Sequence, residues 1–151
     1  MSRDVLVNGG QVRYAQKISV GHHLLQADEP IEAGGLDAGP DPYELLLAAL
    51  GSCISITLRM YADRKQWPLE DIEVRLTYGK IHADDCTTCD GELKLIDAIE
   101  VQLSLVGDLS EAQRTRLMEI AERCPVHRTL SSPIQIRTRP TSQRSEALAW
   151  E

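Results

Sequence analysis

From Asp41 to Lys65 the chain reads DPYELLLAALGSCISITLRMYADRK, and between Glu44 and Arg59 no side chain carries a charge. About four helical turns can therefore be enclosed by protein rather than by water. Cys53 lies in the middle of this segment. Leu46, Ala49, Leu50, Ile56, Thr57 and Met60 stand at the three-, four- and seven-residue offsets that share its face. The pattern predicts a buried apolar stripe with the thiol pointing into it. Asp41 is placed to act as N-cap, Pro42 suits the first helical position, and Glu44 adds a negative charge to the first turn. Trp67-Pro68 ends the helix near Gln66, because the residue before a proline avoids helical geometry.

Shorter periods flank this helix. Val12, Tyr14, Ile18 and Val20 alternate between Gly9-Gly10 and Gly21, which reads as a small antiparallel sheet within residues 1 to 30. Residues 29 to 42, EPIEAGGLDAGPDP, are too rich in glycine and proline for regular structure and form a loop. After the helix, Ile72, Val74, Leu76 and Tyr78 alternate with Glu73, Arg75 and Thr77. A second strand runs from about Glu92 to Val106, where Ile99, Val101, Leu103 and Leu105 alternate with polar residues. Ser110 and Gln113 have capping-box spacing, with Leu109 before them as a possible staple. The helix they open has the stripe Leu117, Ile120, Ala121 and Cys124. Pro125 stops it and can start a short new helix with Cys124 as N-cap, where free N–H groups favour a thiolate. Pro133 to Ile136 reads as a last edge strand. The whole is an α+β chain with one domain over residues 1–140 and a loosely attached tail over 141–151.

Composition narrows the function. A chain of 151 residues with 42% hydrophobic content can bury one core without disulfide staples. A net charge of -7 argues against nonspecific binding to nucleic acid or to an anionic membrane, and favours an uncharged or apolar substrate. The first residues lack a signal-peptide core. The apolar helix is interrupted by Gly51, Ser52 and Ser55, so no segment is expected to reach the roughly 18 apolar residues that span a bilayer. A cytoplasmic protein is expected, in which four reduced cysteines point to redox chemistry or metal.

Taken alone, a buried cysteine is most simply a small hydrophobe. His82, Cys86 and Cys89 form H-x3-C-x2-C in a polar link, three potential zinc ligands within eight residues. Cys124 or His127 could supply a fourth, with Asp84, Asp85 and Asp90 as alternatives. The same dithiol could instead relay electrons, or be two unrelated exposed thiols. His127, three residues after Cys124, can lie over its sulfur, although a surface histidine at a helix start is the plainer reading. His22-His23 fits a strand or turn, and Tyr61 and Trp67 fit core or interface packing.

Two motifs together are more specific than any of these. GPDPYELLLAALGSC, followed by a strand pair and by a helix closing on AERCPVH, resembles the OsmC/Ohr family of thiol-dependent peroxide reductases, over about Gln16 to Arg137. The wording is most similar to OsmC-like domains that occur alone or fused behind an α/β-hydrolase. The resemblance implies an interlocked homodimer with long central helices packed between antiparallel sheets, and an active site at the subunit interface. It implies reduction of a hydroperoxide, organic ones preferred in much of the family, by catalytic Cys53 and Cys124, with an external dithiol as reductant and no cofactor. Cys53 would become a sulfenic acid and Cys124 would condense with it. In the hydroperoxide-resistance branch an arginine from the amino-terminal sheet activates the first cysteine, and a glutamate ten residues before that cysteine holds it. Here Tyr43 occupies that position and Glu44 follows, turned about 100° further round the helix. Arg13 and Arg3 are the candidates for the cation. A departure of this kind leaves open a second function class, a zinc-binding or small-ligand domain on the same fold.

Overall fold

A computed structural model describes residues 3–82 and 95–141. Along the chain lie β1 (Leu6–Gly9), β2 (Gln16–Val20), β3 (His23–Ala27), α1 (Pro42–Lys65), β4 (Leu69–His82), β5 (Leu95–Gly107), α2 (Glu111–Ala121) and α3 (Pro125–Leu130). The mixed class, antiparallel sheets and helices agree with the sequence reading. Two compact units are distinguishable, one built from the described residues 3–45 and 135–141, the other from 46–82 and 95–134.

In the first unit β1, β2 and β3 form an antiparallel sheet in chain order. Val12 and Tyr14 are not strand residues as expected; they are exposed in the β1–β2 connection. The reason is local: the Ala15 N–H donates to the Val12 carbonyl at 3.0 Å, and Arg13 adopts φ 42°, which closes a turn. Beyond β3, the buried Asp28 carboxylate accepts N–H bonds from Glu29 (2.8 Å), Leu36 (3.0 Å) and Ala38 (3.2 Å). It thereby organises the Gly/Pro loop, which contains a 3₁₀ turn at Ile31–Ala33. Burial raises the pKa of Asp28, but the three N–H donors outweigh burial and hold it below the ordinary carboxylate value. At the start of α1, Asp41 Oδ1 accepts the Glu44 N–H and Glu44 Oε2 accepts the Asp41 N–H, both at 2.8 Å. Pro42 at the first helical position needs no N–H partner.

In the second unit β4 and β5 form a long antiparallel ribbon. Its register sets Ile72 opposite Leu105, Val74 opposite Leu103, Leu76 opposite Val101 and Tyr78 opposite Ile99. The apolar positions predicted by period two thus meet as cross-strand pairs on one face. That face packs on a core of Leu50, Ile54, Leu58 and Ala62 from α1 and Leu117, Ile120 and Ala121 from α2. Two arginines stitch the end of the ribbon nearest the helices. Arg59 donates to the Leu69 and Glu70 carbonyls, and Arg114 to those of Leu105 (2.7 Å) and Gly107 (3.0 Å). Gly107 has φ 141°, and a Cβ there would lie 2.0 Å from the Pro68 carbonyl oxygen, so only glycine fits the crossing.

Three expectations need correction. The buried stripe of α1 is Leu50, Ile54, Leu58 and Ala62, an i, i+4 line, whereas Ile56 and Met60 are each 59% exposed. The ribbon and α2 cover a single stripe of the helix, so among the described residues Ile56 and Met60 stay largely uncovered. Pro133 to Ile136 forms no strand, and Ile134 and Ile136 are exposed. An alternating pattern makes a strand only where another edge accepts its hydrogen bonds, and none does so here among the described residues. Finally, α1 is by length and composition apolar enough to cross a membrane, with 24 residues that include an 18-residue stretch of mean hydropathy 1.6. Gly51, Ser52 and Ser55 do not offset the surrounding Leu, Ile and Ala. A core helix satisfies the same test.

Candidate active site: a pair of thiols

Cys53 is carried by α1 and Cys124 by the joint between α2 and α3. Gly51, buried two residues before Cys53, lets α1 lie close on β4: a Cβ there would come within 2.7 Å of Leu76 Cδ1. Cys53 therefore sits at the flank of the buried stripe, half-buried and packed against the core cluster that contains Cys124. Cys124 is 0% exposed, the last member of the α2 stripe. The turn that follows makes it the N-cap of α3, with Pro125 at the first helical position.

Burial pushes the Cys124 pKa up, the backbone N–H groups of His127 (3.3 Å from Sγ) and Val126 pull it down, and the neighbouring Cys53 thiol raises it again. The net direction is upward, so the buried sulfur is held as a thiol while its neighbour has access to solvent. Both cysteines are free. Two thiols in mutual contact, one reachable and one shielded, can do one thing that neither does alone: close a disulfide when the reachable one is oxidised.

The remaining predicted residues are placed as follows. Arg13 is exposed and donates through Nη1 to the Gly34 carbonyl at 3.1 Å. Glu44 is occupied in the α1 capping box, and Tyr43 is 52% exposed. His127 is half-buried and reaches Cys124 through its backbone N–H rather than its ring. His127 also lines a cavity of about 250 Å³ shared with Leu50 and Val101. His82 is exposed at the end of β4, while Cys86 and Cys89, and with them the zinc reading, lie outside the described residues. Among the described residues no group of His, Cys, Asp and Glu could hold a metal ion.

Two polar features were missed in the sequence. Asp28 is one, and its signal was an aspartate just ahead of a Gly/Pro loop full of unpaired N–H groups. The other is Arg116, whose Nε donates to Tyr61 Oη at 3.2 Å while Nη1 pairs with Glu119 at 2.5 Å. The Arg116 hydrogen bond lowers the Tyr61 pKa, and Trp67 stacks edge-on to the same ring at 5.5 Å. No sequence spacing announces a contact between residues 55 positions apart.

Residues 34–139 match the family model described as OsmC-like protein. This chain belongs to the OsmC family. Solved structures agree at the level of fold. The OsmC-like protein of Mycoplasma pneumoniae superposes with a TM-score of 0.68 and 19% identity, covering 87% of this chain and 88% of that one. An organic hydroperoxide resistance protein OsmC from Legionella pneumophila gives 0.62 and 19%, over 86% and 89%. The organic hydroperoxide resistance protein OhrB of Bacillus subtilis gives 0.57 and 18%, over 85% and 90%. No curated protein matches. The OsmC assignment accords with the fold that surrounds the thiol pair.

Proposed function

We propose that this OsmC-family chain is a thiol-dependent hydroperoxide reductase, with Cys53 attacking and Cys124 resolving. The observation that carries this is the contact between a half-buried and a fully buried thiol that are 71 positions apart (124 minus 53). The names of the Legionella and Bacillus relatives point the same way. The Cys53 thiolate attacks one peroxide oxygen. The O–O bond breaks, Cys53 becomes a sulfenic acid, and the departing alkoxide takes a proton to leave as alcohol. Cys124 then attacks the sulfenic sulfur and expels water, closing a disulfide. An external dithiol returns both sulfurs to thiols and is itself oxidised. No cofactor enters these steps. A cytoplasmic setting, which keeps the pair reduced between turnovers, suits this cycle.

We assign the working form to a homodimer. Ile56 and Met60 leave an apolar face on α1, and a second copy is the natural cover for it. Arg13 and Glu44 have other partners in this chain, so neither is assigned to activating Cys53.

The test uses one equivalent of cumene hydroperoxide on the reduced protein, followed by peptide mapping with mass spectrometry. The wild type is expected to lose the Cys53 and Cys124 thiols together, as a disulfide between those two peptides. Cys53→Ser should leave Cys124 reduced. Oxidation of Cys124 at an undiminished rate in Cys53→Ser would overturn the assignment.

A further inference from the structure

Cys53 and Cys124 form a soft, uncharged pair. Both are free, and their side chains are in contact. The α1 segment between Glu44 and Arg59 has no charged side chain, and Glu122, Arg123 and Arg128, beside Cys124 in sequence, are exposed. What acts on the Cys124 sulfur is burial, two backbone N–H groups and Cys53, with no cation among them. A soft monovalent cation held by two thiolates would therefore leave a net negative charge uncompensated beside the core. Zinc asks for four ligands, and no third His, Cys, Asp or Glu joins the pair among the described residues. The ligand that suits two sulfurs and no counter-charge is a neutral one.

We propose that the Cys53–Cys124 contact is a binding site for a monosubstituted trivalent arsenical, a neutral electrophile that takes two thiols and no more. Cys53, the half-buried sulfur, meets R–As(OH)₂ first. An As–S bond forms, an As–O bond breaks, and the thiol proton leaves with the hydroxyl as water. Cys124 repeats the exchange at the second hydroxyl and closes a ring through both sulfurs. Two As–O bonds give way to two As–S bonds and arsenic stays trivalent, so neither an oxidant nor a reductant is required. The second attachment is intramolecular, which raises the affinity about a hundredfold or more over that of one thiol. Inorganic arsenite has three hydroxyls, keeps one of them at a two-sulfur site, and is held less tightly. Binding of this kind needs the contact between the thiols, not turnover of a peroxide, yet it occupies both sulfurs that the reductase cycle uses.

The probe is phenylarsine oxide, titrated into the reduced full-length chain carrying Cys86→Ser and Cys89→Ser, so that the pair holds the only thiols left. Intact-mass spectrometry should show one phenylarsenic group per chain with both waters lost, resistant to excess glutathione and released by dithiothreitol. Adding Cys53→Ser should lower the affinity about a hundredfold or more and leave any adduct labile to glutathione. Cys124→Ser should do the same; Cys53 is half-buried, so its variant carries the test even if Cys124→Ser does not fold. An adduct no more resistant to glutathione in the parent than in Cys53→Ser overturns the site. So does stoichiometric zinc that displaces the arsenical, or arsenite bound as tightly as phenylarsine oxide. A chain that holds the arsenical but consumes no hydroperoxide fails the reductase reading and leaves the arsenical site standing.

Discussion

The helices α2 and α3 begin with the same device made from different atoms. At α2 the Ser110 hydroxyl accepts the Gln113 N–H at 3.2 Å, and the Gln113 side chain returns a bond to the Ser110 N–H at 2.9 Å. At α3 the Cys124 sulfur accepts the His127 N–H at 3.3 Å, and no side chain reaches back. The first start is exposed, reciprocal and chemically inert. The second is buried, one-sided and touches another thiol. A hydroxyl in that position would serve the helix as well or better, since sulfur is a weak acceptor. The cap of α3 is thus at once a core residue and the neighbour of Cys53, whereas the cap of α2 is complete as a piece of scaffold.

The sharpest way to separate the two tasks is Cys124→Ser. It keeps a capping atom but removes the partner for Cys53, so the disulfide is lost completely and peroxide leaves Cys53 as a sulfenic acid. Trapping with dimedone and peptide mapping will show this; a new disulfide to another cysteine would instead mean that the resolving role is shared. The next effect in size belongs to the scaffold. Leu117→Ala empties a fully buried site on α2 and should cost about 2–5 kcal/mol, read as a fall in the urea midpoint. Ser110→Ala removes only the inert cap and should cost about 1 kcal/mol, with thiol chemistry unchanged. That corresponds to a melting temperature lower by about 2–4 °C.

The smallest effect is a slope against pH. Because Cys124 titrates above the ordinary thiol value in the fold, the folded chain keeps a proton that the unfolded chain loses. This contribution is fully present below the unfolded value of about 8.5 and is lost as pH rises through the folded one. The reduced wild type should therefore lose stability with alkalinity more steeply than Cys124→Ser, in denaturant titrations at several pH values. The same shift means that disulfide closure should speed up with pH, as more of the resolving sulfur becomes thiolate.

Local signals in the sequence served well wherever both partners were near neighbours. Ser110 with Gln113, Pro42 after Asp41, Cys124 before Pro125 and the alternation of β4 and β5 all depend on spacings of a few residues. The capping partnership of Glu44 was also legible, as D-x-x-E from Asp41 to Glu44, but the dipole was credited instead. What was not legible depended on the rest of the molecule. Periodicity proposed a stripe containing Ile56 and Met60, while the side of α1 that is buried was decided by where the β4–β5 ribbon lies. Ile134 and Ile136 had a strand's alternation but no neighbouring edge. Of the site, the two cysteines were readable from motifs, whereas the cavity lined by Leu50, Val101 and His127 emerged only from register and packing.

The contact at Gly51 has a consequence for chemistry rather than for folding. How far α1 stands off the ribbon is set by a missing methyl group two residues from Cys53, and the reach between the sulfurs inherits that spacing. Adding the methyl would press on the Leu76 side chain and, where that cannot give, shift the helix that carries Cys53. Gly51→Ala is thus expected to yield a folded protein in which sulfenic acid outlives its wild-type counterpart: a slower catalyst made by altering neither reacting atom.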